Sequence, residues 1–178
     1  MKSILRKVYV LYLRKALGSI GDNSWISPFG TYLNKKKIEI GNRVYIGKGA
    51  FLSASDGIIV GSGVAIGPEF MVMGGDHKFD VVGKRLHELT AGGDNRKIVI
   101  EDDVWIGARV TLLKGAKIGE GAIVGACSLV TKDIPPYTIY AGNPAKRIGF
   151  RFTKEGLQQH LSLVKSKHTF EHLSNLYE

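Results

Sequence analysis

Every sixth residue from Ile20 gives Ile20, Ile26 and Tyr32. After a step of eight come Ile40, Ile46 and Leu52, and after another step of eight Val60, Ile66 and Val72. The series breaks, then resumes as Ile100, Ile106, Leu112, Ile118, Val124 and Val130. Fourteen of these fifteen positions are aliphatic, so the period belongs to the chain and not to chance. An amphipathic helix would repeat every three to four residues and would carry fewer glycines and branched side chains. Glycine commonly follows the aliphatic residue, as in "IGNRVY", "IGKGAF", "IGARVT" and "IGEGAI".

A six-residue repeat of this kind predicts an all-β solenoid, a parallel β-helix built from short flat strands. Each unit sends its aliphatic residue inward, and the small residue after it is expected to let the chain turn a tight corner. Three units close one triangular turn, and about five turns can be counted along the chain. The two eight-residue steps are two-residue bulges at one corner. Handedness does not follow from the period; crossover connections are ordinarily right-handed.

Three regions follow from the pattern. Residues 1–19 form an N-terminal capping segment, whose residues 2 to 18 carry the spacing of a short amphipathic helix with a basic face. It has two readings: a cap over the open end of the first turn, or a contact with an anionic membrane surface. Residues 20–150 are the β-helix, interrupted by a loop insertion over 77–97. Residues 151–178 are a helical tail, and Thr153 with Glu155 suits a helix start.

Composition narrows the function. The chain has 178 residues, a net charge of +9 and a pI near 9.6, which favours an anionic partner. No helix-turn-helix, zinc-finger spacing or RNP-like motif supports nucleic acid. No apolar run is long enough to cross a bilayer. Arg14 and Lys15 interrupt any signal-peptide core, and the single cysteine, Cys127, fits a reducing compartment, so a cytoplasmic location is expected.

The break after Val72 holds the candidate chemistry. Long loops leaving a regular scaffold are disproportionately functional. His77, in "VMGGDHKFD", stands at the root of the loop, where the scaffold can fix its position. The other histidines are His87 in the loop and His160, His168 and His172 in the tail, which does not make a set of zinc ligands; no metal is expected. No Ser or Cys sits in a nucleophile-elbow context, and Cys127 reads as a small residue within "VGACSL". What remains is His77 as a general base, since histidine titrates near neutral pH. Asp80 or a backbone carbonyl would orient its ring.

The stretches "GGDHKFD" and "IEDDVWIGARVTLLKGAKIGEGAIVGACSLVTKDIPPYTIYAGNPAKRI", with the coil from about Ile20 to Phe152, resemble the hexapeptide-repeat acyltransferases. The resemblance is strongest to the branch of sugar O-acetyltransferases and xenobiotic acetyltransferases. It implies a left-handed β-helix, a homotrimer with active sites between neighbouring subunits, and acetyl-CoA as donor. His77 matches the family's loop base, and Trp105 matches the tryptophan lining the pantetheine arm. Ala108 and Ala126 match backbone positions that hydrogen-bond that arm. Thr131 and Lys132 match residues near the cofactor's phosphate end, and Lys146 with Arg147 falls where the family places cations for the 3′-phosphate. The chain departs from the family in having Gly149 and Phe150 where a second cation often follows "PAK"; Arg147 or Arg151 would substitute.

The expected activity is transfer of an acetyl group from acetyl-CoA to a saccharide hydroxyl, in a polysaccharide or its precursor, with a backbone N–H as oxyanion donor. Asp80, Lys84, Arg85 and His87 are the expected acceptor contacts. The alternatives are an O-acetyltransferase of chloramphenicol- or streptogramin-type drugs, an N-acetyltransferase of an amino sugar nucleotide, and a β-helix serving only as a scaffold.

Overall fold

The computed structural model describes residues 2–89, 92 and 96–177. Its strands fall on three faces. Face A carries Ser19–Ile20, Ile38–Ile40, Ile58–Val60, Ile98–Ile100 and Lys117–Ile118. Face B carries Trp25–Ile26, Tyr45–Ile46, Ala65–Ile66, Trp105–Ile106, Ile123–Val124 and Thr138–Ala141, with Lys146–Phe150 added antiparallel at its edge. Face C carries Thr31–Leu33, Phe51–Ser53, Met71–Met73, Thr111–Leu113 and Leu129–Val130. Apart from that edge strand every pairing is parallel, which is the β-helix expected from the period. Among the described residues five turns complete all three faces, and a partial sixth ends in Thr138–Ala141.

The register explains the period. Ile20, Ile40, Val60, Ile100 and Ile118 stack in one column. Ile26, Ile46, Ile66, Ile106 and Val124 stack in a second, and Tyr32, Leu52, Val72, Leu112 and Val130 in a third. All of these except Ile20 are buried, and each buried aliphatic chain stabilises the coil by roughly 1.5–3 kcal/mol. Ile20 stays half-buried because it lies on the first turn, with no coil beyond it. Val60 pairs directly with Ile100, so the insertion leaves the ladder without shifting its register.

Two features differ from the expectation. From the second turn on, a second inward position, two residues before the first, is also buried: Val44, Phe70, Val104, Val110 and Ala122 are each at most 1% exposed. The corners are not turned by the glycine after the aliphatic residue. The left-handed residue lies three places after it and is often not glycine, as at Glu69, Asp103, Arg109 and Cys127, with φ of 58°, 57°, 58° and 60°. The glycines instead permit close stacking: a Cβ on Gly107 would lie 2.6 Å from the Ala126 nitrogen of the next turn.

Both ends of the coil are covered. Helix α1 (Lys2–Ala16) and the residue after it press Leu13 and Leu17 into the core, each 1% exposed. Lys36 Nζ donates to the Lys15 carbonyl at 2.7 Å, satisfying one of the free carbonyls at the helix end. At the other end, helix α2 (Lys154–Leu163) is capped by Thr153, whose Oγ1 accepts from the Gly156 N–H at 3.1 Å. Helix α2 and helix α3 (Phe170–Ser174) bury Leu157 and Leu173 against Tyr137 in a second, smaller core. The Tyr137 hydroxyl donates to Glu120 Oε1 at 2.9 Å, and its burial pushes its ionisation up to about 12.

Candidate active site

The loop leaves face C through Gly74, whose N–H still donates to the Ser53 carbonyl at 3.0 Å. A Cβ on Gly74 would collide with that carbonyl, so glycine is needed for the close approach. Two residues on, Asp76 fixes the root. Its Oδ1 accepts from the His77 N–H at 2.9 Å, and its Oδ2 meets Lys114 Nζ at 2.8 Å on the neighbouring turn. The far end of the loop returns to the same residue, since the Gly92 N–H donates to the Asp76 carbonyl at 3.2 Å. The Lys114 ammonium, and then the His77 N–H, hold the Asp76 carboxyl below the usual carboxylate range. His77 is exposed, with its backbone clamped to the coil through this pair.

The orienting aspartate expected from the sequence, Asp80, is exposed, and among the described residues it makes no hydrogen bond or ion pair to His77. Asp76 is instead the carboxylate bonded to His77, and it contacts the backbone of that residue. Lys84, Arg85 and His87 are exposed along the outer loop, where the Arg85 N–H donates to Glu88 Oε2 at 2.6 Å and His87 lies in a short 3₁₀ turn.

Thr131 and Lys132 lie on the same C-to-A corner as His77. With Arg96, Lys114 and Asp133 they line a pocket of about 380 Å³. Trp105, Ala108 and Ala126 lie elsewhere. Trp105 stands on the outer side of face B, 58% exposed, between Ala65 and Ile123. Ala108 and Ala126 stack at the B-to-C corner, where the Cys127 N–H donates to the Ala108 carbonyl at 2.9 Å. The width of face C therefore separates them from His77 within one chain.

Lys146 and Arg147 lie on the antiparallel edge strand, opposite Ala141 and Tyr140. Lys146 is exposed. Arg147 stacks over Phe150 and donates to the Leu176 carbonyl at 3.0 Å. Arg151 is committed to the scaffold: it donates to Asp103 Oδ2 at 2.7 Å and to the Gly121 carbonyl at 3.1 Å. Among the described residues, no group of three or more His, Cys, Asp or Glu side chains could hold a metal ion.

Asp76, Lys114 and Arg96 escaped the sequence reading. The signal was present in the repeat: Met73 aligns with Leu113, so the residues that follow them, Gly74 and Lys114, meet at the corner where the loop departs.

Residues 97–132 match the family model of the bacterial transferase hexapeptide (six repeats). The chain is 35% identical over 133 residues to a galactoside O-acetyltransferase of Lactococcus lactis, covering 74% of this chain and 62% of that protein. It is 38% identical over 125 residues to a probable macrolide acetyltransferase of Lysinibacillus sphaericus, covering 61% of this chain and 68% of that one. The fold superposes on a hexapeptide-repeat acetyltransferase of Vibrio cholerae, solved with acetyl coenzyme A, with a TM-score of 0.73 and 32% identity over 82% of this chain and 76% of the other. By sequence identity and by fold, the chain belongs to the hexapeptide-repeat acetyltransferases.

Proposed function

We propose that this protein transfers an acetyl group from acetyl-CoA to a hydroxyl of a saccharide, with His77 as general base. The observation that carries the reading is the clamp at the loop root. An exposed imidazole is held at its backbone by Asp76, and Asp76 is held by Lys114 on the rigid coil. A base fixed in this way loses little orientational freedom when a substrate arrives. The galactoside O-acetyltransferase relative supports a sugar acceptor.

His77 takes the proton of the acceptor hydroxyl as its oxygen attacks the thioester carbonyl. The carbonyl reforms as the carbon–sulfur bond breaks, and the protonated imidazole returns its proton to the leaving thiolate. Trp105, Ala108 and Ala126 receive the pantetheine arm, and the cations Lys132, Lys146 and Arg147 face the phosphates. His77 and Trp105 stand on different sides of one chain, which supports a site shared between neighbouring subunits of the homotrimer that the resemblance implies.

The macrolide acetyltransferase relative favours a second reading, a drug acceptor. One assay separates the two: thiol release from acetyl-CoA against sugars, oligosaccharides, nucleotide sugars, macrolides and chloramphenicol, with His77→Ala in parallel. Release stimulated by a saccharide and lost in the variant is the expected outcome. Stimulation by a drug alone moves the protein to drug modification, and near-normal turnover in the variant removes His77 from its role.

A further inference from the structure

We propose that the outward face of α1 docks the protein on an anionic lipid bilayer. The helix has two apolar faces. One is used by the cap, where Leu13 is buried and Tyr9 packs beside it. The other faces solvent: Val8, Leu11 and Tyr12 are 58%, 61% and 52% exposed. Positions 8, 11 and 12 share one side at helical spacing. A terminal cap needs an apolar inner face and a polar outer one. This helix presents hydrocarbon and aromatic side chains on the side away from the coil.

The charge in the helix sequence has one sign. The helix sequence contains Lys2, Arg6, Lys7, Arg14 and Lys15 and no acidic residue, and the first acid in the chain is Asp22. Asp22 pairs with Arg14 at 3.4 Å and offsets one of these cations. The coil adds a second cluster, Lys35–Lys37, in the adjoining corner. Lys35 Nζ donates to the Tyr12 hydroxyl at 3.1 Å, which sets it against the exposed face, and Lys36 Nζ donates to the Lys15 carbonyl at the end of the helix. An apolar face bordered by cations is the chemistry of a helix lying in a bilayer interface. The cations are drawn by anionic headgroups within a Debye length, and the apolar side chains enter the acyl boundary. No described helix is long and apolar enough to cross a membrane, so the contact is with the surface.

The test is sedimentation of the full chain with vesicles of phosphatidylglycerol and phosphatidylcholine, and with vesicles of phosphatidylcholine alone. The protein is expected to pellet with the anionic vesicles, and added salt should release it. A Val8→Gln/Leu11→Gln double variant and a Lys15→Glu variant should each lower binding about tenfold while thermal unfolding stays unchanged. If the double variant fails to fold, Lys15→Glu alone decides. No binding to anionic vesicles at low salt, or equal binding to both vesicle types, overturns the proposal. A double variant that keeps its vesicle binding but loses mass by light scattering also overturns it, because the face would then hold a second copy of the chain.

Discussion

The two corners bordering face C are built on opposite rules. At the B-to-C corner the path repeats from turn to turn, and Phe29, Gly49, Glu69, Arg109 and Cys127 all take the left-handed conformation at the same place. At the C-to-A corner no two of the first three links are alike: a 3₁₀ turn of three lysines, a short bend through Asp56, and then the long loop with His77. The regular corner is closed by backbone hydrogen bonds between turns and tolerates many side chains. The irregular corner is where the ladder can release the chain without losing register, and it gathers His77, Asp76, Lys114 and Thr131. This solenoid thus keeps its buried columns and its candidate base in different places, which makes the two separable by mutation.

The largest expected separation is at His77. His77→Ala should lower turnover about a thousandfold, the size of a lost general base, with no change in the thermal unfolding midpoint. A variant that also unfolds early would show that the irregular corner bears structural weight. The opposite result is expected from the interior. Ile46 is fully buried in the second turn, and Ile46→Ala should cost about 3 kcal/mol by denaturant titration while turnover per folded molecule stays unchanged.

The sequence made the interior legible because one face of each unit must be aliphatic, and a period of six survives any choice among Ile, Leu and Val. The second inward position was hidden because it accepts Val44, Ala50, Phe70 or Ser128, residues with no common signature. The left-handed corners were hidden for a similar reason. Backbone geometry is imposed there by the stacked turns, so Glu69, Arg109 and Cys127 carry a conformation that their own types do not announce. At the loop, His77 stood out as a candidate from the break in the period and from resemblance. The carboxylate bonded to its backbone did not: Asp80 or a backbone carbonyl was expected to orient its ring, whereas Asp76 lies closer to the ladder and is reached by Lys114, forty residues from the start of the loop at Gly74. Such a pairing is visible only once the turns are stacked.

A smaller effect tests the clamp itself. Lys114→Met removes the cation from Asp76 and should lower kcat about tenfold with little change in KM for the acceptor, since the imidazole remains but its backbone is less firmly held. Ionisation gives a second check. The folded-state carboxyl of Asp76 titrates below its ordinary range, so the clamp is complete above that range and weakens only as pH falls through the lowered value. Across the ordinary carboxylate range, roughly pH 3.5 to 5, Asp76 should therefore stay ionised in the native protein, and its carboxyl resonance followed by NMR should move only at lower pH. A carboxyl that titrates within or above that range would mean that Asp76 is not held as the ion pair requires.

The smallest expected effect lies at the regular corner, at Cys127. Its φ of 60° carries a penalty for an ordinary side chain of roughly 1 kcal/mol. Glycine would relieve the strain but would also loosen the unfolded chain, and the two effects nearly cancel. Asparagine tolerates the left-handed region without that entropic cost. Cys127→Asn should therefore raise stability by about 0.5 kcal/mol, a shift of one or two degrees in the unfolding midpoint. Asp133→Asn, three residues after Val130 at the irregular corner, lacks the positive φ and should gain nothing; there the Lys117 N–H donates to Asp133 Oδ1 at 3.0 Å, a bond that the amide oxygen can keep. Equal gains at both positions would mean that the difference between the corners lies in surface charge and not in the path of the backbone.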